Sequence, residues 1–221
     1  MITLVLEAST YAGSVALIDG SELLVERAVA MRGREHEALM PAVAEVLVAA
    51  GVAARGIQRV VCGAGPGSFT SLRIAGAIAK GISMAALAPL VPISSLALLV
   101  ASREPAHAGR FLAVVDAMRG ERYVQAFAVG ANGDMATAGA LDIVAASDVA
   151  AMAHTLDAWA LGPGDQGEAH VVPRAGAAIR ITNMIDASEC ADLATWEPGY
   201  GRLAEAQVKW EAEHGRPMQQ G

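Results

Sequence analysis

The feature that most constrains this chain of 221 residues is an order of strands and helices that occurs twice. Apolar runs indicate strands, and apolar positions three and four residues apart indicate helices. In the first half they predict three strands, a helix, a strand, a helix, a strand and a helix, at residues 3–6, 14–18, 23–31, 35–50, 60–62, 71–86, 90–93 and 95–102. The second half begins in the same order, with strands and one helix at residues 111–115, 122–129, 136–143, 147–156 (helix) and 158–161. The duplication predicts an α/β protein of two βββαβα lobes with a cleft between them, residues 1–104 and 105–221, the second lobe ending in a helix at 203–213.

Composition excludes several classes of protein. Hydrophobic residues make up 54% of the chain and charged residues 18%, which excludes intrinsic disorder. The net charge of −7 makes the chain a poor candidate for binding nucleic-acid phosphates on its own, because that affinity comes from Lys and Arg. The uncharged stretch 81–102 contains Pro89 and Pro92, which argue against a membrane-spanning helix. Two cysteines and an N-terminus without a basic segment predict a cytoplasmic protein with no membrane contact.

A glycine-rich loop at residues 63–68 lies between a predicted strand and a predicted helix. Backbone N–H groups at such a place can bind an anion, which makes Gly65, Gly67, Ser68 and Thr70 a candidate anion-binding set. The spacing matches neither a P-loop nor a dinucleotide fingerprint nor a nucleophile elbow. The alternative is a tight connection in which the glycines allow close packing, and the residues slightly favour it.

Two acidic residues, Glu7 and Asp116, each end the first strand of their half of the chain. Facing a cleft, such carboxylates can hold a metal–nucleotide complex, whereas a hydrogen-bonded turn is the alternative for Glu7 and an ion pair with Arg119 or Arg122 is the alternative for Asp116. The five histidines show no metal-ligand spacing, and no Ser/His/Asp or Cys/His arrangement can be argued. We therefore predict no catalytic residue and no metal site.

The helix after the glycine loop is unusually apolar. Between residues 72 and 87 the only charged side chains are Arg73 and Lys80, and small residues recur along the helix. Such a helix must be covered on most sides. We predict that one of its faces lies in the core and another on a partner chain.

Several motifs resemble the TsaB (YeaZ) family. Residues 65–74 read GPGSFTSLRI and look like that family's Gly-Pro-Gly-Ser-Phe-Thr-Gly-Leu/Val-Arg-Ile-Gly signature. Further agreement in order and spacing is found at residues 6–17, 34–41 and 115–123, and in Pro198, Tyr200 and Arg202. The sequence departs from the family at four positions: Glu7 stands for an Asp, Met118 for an Arg, and Ser71 and Ala75 for glycines.

This resemblance implies a two-lobed actin/Hsp70/sugar-kinase (ASKHA) fold and a part in forming N6-threonylcarbamoyladenosine at position 37 of tRNA. It implies a non-catalytic scaffold that dimerises, binds the catalytic paralogue TsaD and the ATPase TsaE, and meets tRNA only through that complex. The metal ligands of TsaD would fall near Ser95 and Leu99, which do not suit a metal, so no cofactor is expected.

The resemblance also implies a helical interface built by the helices predicted at residues 35–50 and 71–86. The interface positions it suggests are Leu39, Val43, Leu47, Ile74, Ile78 and Ile82. Two alternatives remain open: a peptidase-like or phosphotransferase enzyme of the same fold, and a homodimeric module with no role in tRNA modification.

Overall fold

The computed structural model describes residues 1–31 and 37–201. Its first sheet has the strand order β3-β2-β1-β4-β5, in which β1–β2 and β2–β3 are antiparallel pairs and β1–β4 and β4–β5 are parallel. The strands are β1 (Ile2–Glu7), β2 (Ala12–Asp19), β3 (Glu22–Ala30), β4 (Arg59–Gly63) and β5 (Leu90–Ile93). The helices of this half are α1 (Leu39–Ala50), α2 (Phe69–Ala86) and α3 (Ser95–Ala101), with a short 3-10 helix at Ala54–Gly56.

The second sheet repeats this arrangement with the order β11-β10-β6-β7-β8, and β9 also pairs with β7. Its strands are β6 (Gly109–Asp116), β7 (Glu121–Val129), β8 (Met135–Thr137), β9 (Asp142–Ala145), β10 (Trp159–Gly162) and β11 (Ala169–His170). The helices are α4 (Val149–Thr155) and α5 (Thr182–Ala187), with 3-10 helices at Ala146–Asp148 and Ala175–Arg180. The β6–β7 pair is antiparallel and the β6–β10 pair is parallel, as in β1–β2 and β1–β4, so the predicted duplication and α/β class are confirmed.

Two parts of the predicted element order differ from the structure, and several other elements begin or end a residue or two away from their predicted bounds. The strand predicted at 136–143 is instead two short strands, β8 and β9, because both pair with β7 and the chain between them turns away. Between Gly162 and residue 203, where the sequence predicts no element, the chain forms β11, a 3-10 helix and α5. The start of the helix predicted from residue 35 and the terminal helix at 203–213 lie outside the described residues.

Alternation along the strands divides the interior into three cores. In β1, Leu4 and Leu6 point to the face covered by α1 and α2, whereas Val5 points to the opposite face. The second sheet likewise has an outer face, with Leu112 and Val114, beside α4. Between the two sheets lies a single core to which both lobes contribute, and all seven residues of α3 are buried in it. This shared core joins the two lobes into one packed unit.

Polar contacts reinforce the junction between the lobes. The 3-10 helix Ala175–Arg180 lies against the first sheet, where the Ala175 N–H donates to Ser14 Oγ at 2.8 Å and the Gly176 N–H donates to Glu26 Oε1 at 2.8 Å. Glu26 also pairs with Arg174. Among residues 1–31 and 37–201, no helix is both long and apolar enough to cross a membrane.

We predict that Leu99→Ala, in the core between the sheets, lowers the free energy of unfolding by about 2–5 kcal/mol, because it removes methyl groups from a fully buried site. Met118→Ala, at a side chain of the second lobe that is 60% exposed, should change it by no more than about 0.5 kcal/mol. Urea unfolding followed by tryptophan fluorescence and circular dichroism measures both effects. Separate transitions from the two probes would contradict the shared core.

Candidate functional site

The glycine loop, residues 63–68, uses its backbone N–H groups inside the chain. The Ser68 N–H donates to the Ser9 carbonyl at 2.7 Å, and the Ala64 N–H donates to the Ile93 carbonyl at 2.7 Å. The Gly65 N–H donates to Ser95 Oγ at 3.1 Å. Three amides that an anion would need are therefore already engaged.

Each of three glycines in this loop is approached by a different segment of the chain. A Cβ on Gly63 would overlap the Glu7 carboxylate, and one on Gly67 would overlap the Ser9 carbonyl. Gly65 has a φ of +89° and faces the carbonyl of Gly199. These approaches account for the glycines by close packing, the alternative that the sequence slightly favoured. In the anion-binding set, Ser68 Oγ lies 3.0 Å from Ser71 Oγ, and Thr70 is exposed on the first turn of α2.

Glu7 lies in the interior and not on an open cleft. Its side chain is fully buried, where Oε1 accepts from the Ser9 N–H at 2.6 Å and Oε2 accepts from Ser95 Oγ at 2.8 Å. Burial raises the pKa of Glu7 above its ordinary value of 4.5, and hydrogen bonds from Ser9 and Ser95 oppose that rise. Burial and the charge of Glu7 also raise the pKa of the Cys62 thiol. Ser95 thus links the Glu7 carboxylate to the Gly65 N–H of the glycine loop by hydrogen bonds. This arrangement agrees with the interpretation of Glu7 as a hydrogen-bonded turn residue.

Asp116 forms the ion pair that was its alternative interpretation. Its Oδ1 lies 2.9 Å from Arg122 Nη1 and accepts from the Met118 N–H at 3.2 Å. The side chain is about one third exposed. In the part of the chain that the structure describes, no three His, Cys, Asp or Glu side chains cluster closely enough to hold a metal ion. Glu7 thus forms hydrogen bonds in the interior, whereas Asp116 forms a partly exposed ion pair with Arg122.

The two helices suggested as an interface both lie on the outer face of the first sheet. Leu39 and Val43 on α1 are fully buried in the protomer's own core and offer no surface to a partner. Leu47, Ile74, Ile78 and Ile82 are half-buried and pack against the edge of that core. Those four positions therefore retain part of their apolar surface on the outside.

Four exposed apolar side chains on these helices were missed by the sequence prediction. They are Met40 (48% exposed), Val48 (82%), Met84 (65%) and Leu87 (92%). The spacing of Met40, Ala44 and Val48 is a helical stripe on the side of α1 away from the core, which a search for a second apolar face would have found. We call the combined set the α1–α2 apolar surface; it comprises Met40, Leu47, Val48, Ile74, Ile78, Ile82, Met84 and Leu87.

A second feature that sequence reasoning missed is the C-terminal strap, residues 190–201, which lies along α2. Ala191, Leu193 and Trp196 pack against the core beneath α1 and α2. The ring of Tyr200 lies 4.5 Å from that of Phe69, centroid to centroid. Pro198 and Tyr200, two residues of the C-terminal motif, thus lie beside the glycine loop and α2, whereas Arg202 and residues 34–36 lie outside the described residues.

Comparison with known proteins gives a consistent result. The family model described as TsaD, tRNA N6-adenosine threonylcarbamoyltransferase, matches residues 31–173. The tRNA threonylcarbamoyladenosine biosynthesis protein TsaB of Haemophilus influenzae is 35% identical over 121 residues, 54% of this chain and 51% of that protein. TsaB of Escherichia coli is 34% identical over 136 residues, 60% of this chain and 58% of that protein. The matched regions thus span about half the length of these relatives.

Two solved structures from Pseudomonas aeruginosa match almost the whole fold. One, described as an uncharacterized protein with similarity to peptidase YEAZ, is 26% identical with a TM-score of 0.76, covering 91% of this chain and 99% of that one. The other, described as YeaZ, is 26% identical with a TM-score of 0.73, covering 89% of this chain and 98% of that one. The predicted two-lobed fold and the resemblance that suggested it are confirmed.

We predict that Gly63→Ala destabilises the fold, because its methyl group would overlap the buried Glu7 carboxylate. The matched control is Gly81→Ala, at a helical position with open space, where alanine should raise the free energy of unfolding by about 0.5–1 kcal/mol. In urea unfolding we expect the free energy of unfolding to fall for Gly63→Ala and to rise for Gly81→Ala. A neutral Gly63→Ala would contradict the packing interpretation of the loop.

We also predict a pH effect from Glu7. A pKa raised in the folded state means that the folded chain binds the proton more tightly than the unfolded chain, so this group lowers the free energy of unfolding as pH rises from 4.5 through the folded pKa. Glu7→Gln removes the titration, and its stability should fall less steeply over that range. Urea midpoints across the range measure this, and equal slopes for both proteins would contradict it.

Proposed function

This chain belongs to the TsaB (YeaZ) branch of the tRNA N6-adenosine threonylcarbamoyltransferase family, and we propose that it is a non-catalytic scaffold in tRNA threonylcarbamoyladenosine formation. It docks a TsaD-like catalytic paralogue and, with it, a TsaE-like ATPase. Without them it forms a homodimer. It meets tRNA only through the complex, and it acts in the cytoplasm.

The observation that carries this proposal is the α1–α2 apolar surface. Met40, Val48, Met84 and Leu87 expose large apolar side chains on two neighbouring helices. Large exposed apolar areas are rare on monomeric proteins, so large apolar side chains exposed on two neighbouring helices favour a protein–protein contact there. Two helices on each partner would bury it by packing side chains of one helix between those of another.

The acids and the glycine loop support a scaffold over an enzyme. A buried Glu7 cannot reach a substrate in a cleft, and the engaged amides of Gly65 and Ser68 leave little to bind a phosphate. The shared core between the sheets also opposes the hinge motion by which two-lobed enzymes close on a nucleotide. The net charge of −7 supports the view that tRNA is bound by other subunits.

We predict that Val48→Glu and Met84→Glu, one on each helix, each weaken association with a second copy or with the TsaD-like paralogue by at least about tenfold, because each places an unpaired charge in a desolvated contact. These side chains are exposed in the protomer, so the circular-dichroism spectrum should be unchanged. Analytical ultracentrifugation measures the association. Met118→Glu, at a side chain 60% exposed in the second lobe, is the matched control.

If both helix variants associate as the unaltered chain does, this surface is not the docking site. The role itself is tested by reconstitution. TsaD-like and TsaE-like proteins, tRNA, ATP and threonylcarbamoyl-AMP should yield modified tRNA only when this chain is added. Complete modification without it, or ATP hydrolysis by this chain alone that Asp116→Ala abolishes, would overturn the proposal.

A further inference from the structure

The C-terminal strap connects the two lobes across the flank of α2. At its start, the Ala191 N–H donates to the Leu90 carbonyl of β5 at 2.8 Å. At its end, Tyr123 Oη of β7 donates to the Tyr200 carbonyl at 3.3 Å. The strap thus begins on the first sheet and ends on a strand of the second sheet. Its intermediate residues are the ones that contact α2 and the glycine loop.

A close side-chain contact with α2 and a backbone hydrogen bond to the glycine loop hold the middle of the strap in place. Pro198 is buried, and a Cβ on Gly76 of α2 would lie 3.1 Å from Pro198 Cγ, tighter than ordinary packing allows. The Gly199 N–H donates to the Ala64 carbonyl in the glycine loop at 2.7 Å. The small residue at position 76 therefore has a specific use, because a larger side chain would displace the strap.

Aromatic and cationic side chains complete the contact. The rings of Phe69 and Tyr200 pack against each other at a tilt of 52°. The Arg73 guanidinium lies 4.5 Å from the Phe69 ring centroid, and Arg73 Nε donates to Tyr200 Oη at 3.4 Å. Farther along α2, Lys80 Nζ lies 5.9 Å from the Trp196 ring centroid. Such ring and cation–π contacts stabilise a segment where little area is buried.

The contacts follow a single stripe of the helix. The α2 residues that the strap meets are 69, 73, 76 and 80, spaced by four, three and four. The exposed stripe beside it consists of residues 70, 77, 81 and 84, flanked by half-buried Ile74 and Ile78. The strap therefore contacts the flank of α2 opposite Ile78, and the exposed stripe that ends at Met84 lies between the two flanks.

We infer that the C-terminal strap is a clasp that fixes α2 to the second lobe, so that partner docking on α2 and closure of the strap favour each other. The clasp rests on the contacts above; its effect on docking also rests on the proposed function. If strap closure and partner docking both require the same position of α2, each one favours the other by the same coupling free energy. A partner bound to α2 should slow hydrogen exchange in the strap, and release of the strap should weaken the binding of the partner.

The first arm of the test is hydrogen exchange on the full chain with Tyr200→Ala. Amides in the first half of α2 should exchange about tenfold faster, since the variant loses an aromatic pair and a cation–π contact. Tyr200→Phe keeps the ring and should retain most of the protection. Trp159→Ala, which removes an exposed aromatic side chain of the second lobe, is the control and should exchange as the unaltered chain does. Unchanged α2 exchange in Tyr200→Ala would overturn the clasp.

The second arm measures association with a second copy by sedimentation equilibrium. Tyr200→Ala should associate more weakly than the unaltered chain, and Tyr200→Phe nearly as well as it. Faster exchange with unchanged association would overturn the linkage while the clasp stands. An unaltered chain that neither self-associates nor binds the TsaD-like paralogue would overturn the proposed docking, and the exchange arm would still decide whether the strap holds α2.

Discussion

Close backbone packing at the glycine loop is the constraint on which much of this structure depends. Three segments contact the loop at its glycines: the end of β1, the turn after it and the C-terminal strap. At these positions the absence of a Cβ lets the segments approach closely. The Glu7 carboxylate is buried at the same place and is accommodated only because Ser9 and Ser95 donate to it. The first turn of α2 follows directly, so the position of that helix is set by this junction.

The inward and outward faces of α1 and α2 have different roles. Inward residues such as Leu39, Val43 and Leu72 close the core of the first sheet, while outward residues such as Val48 and Met84 remain in water. The core between the sheets is shared by both lobes, so separating the lobes would expose it to water. Under the proposed function the apolar outer face is used for docking, whereas the buried Glu7 and the hydrogen-bonded glycine loop stabilise the fold.

Much of the fold could be predicted, and much of the site could not. The alternation in β1 and the runs in β4 and β6 are strong local signals, and the glycine loop marked the strand-to-helix turn. Two of the suggested interface positions, Leu39 and Val43, lie in the protomer's own core, because periodicity identifies an apolar face without telling which way it points, and the interface itself stays a prediction. Glu7 was recognised as a candidate, yet one of the hydrogen bonds to its buried carboxylate comes from Ser95, which lies 88 residues away in the sequence.

By itself the sequence determined the α/β class, the duplicated order of elements, the resemblance and the need for glycine at the turn, since each of these depends on neighbouring residues. Tertiary structure alone decided that residues 171–187 fill the space beside the first sheet and that residues 190–201 bind α2. It also decided which N–H groups of the glycine loop are hydrogen-bonded within the chain. These outcomes depend on contacts between distant segments, such as Gly199 with Ala64 and Tyr200 with Phe69, which have no periodic signature in the chain.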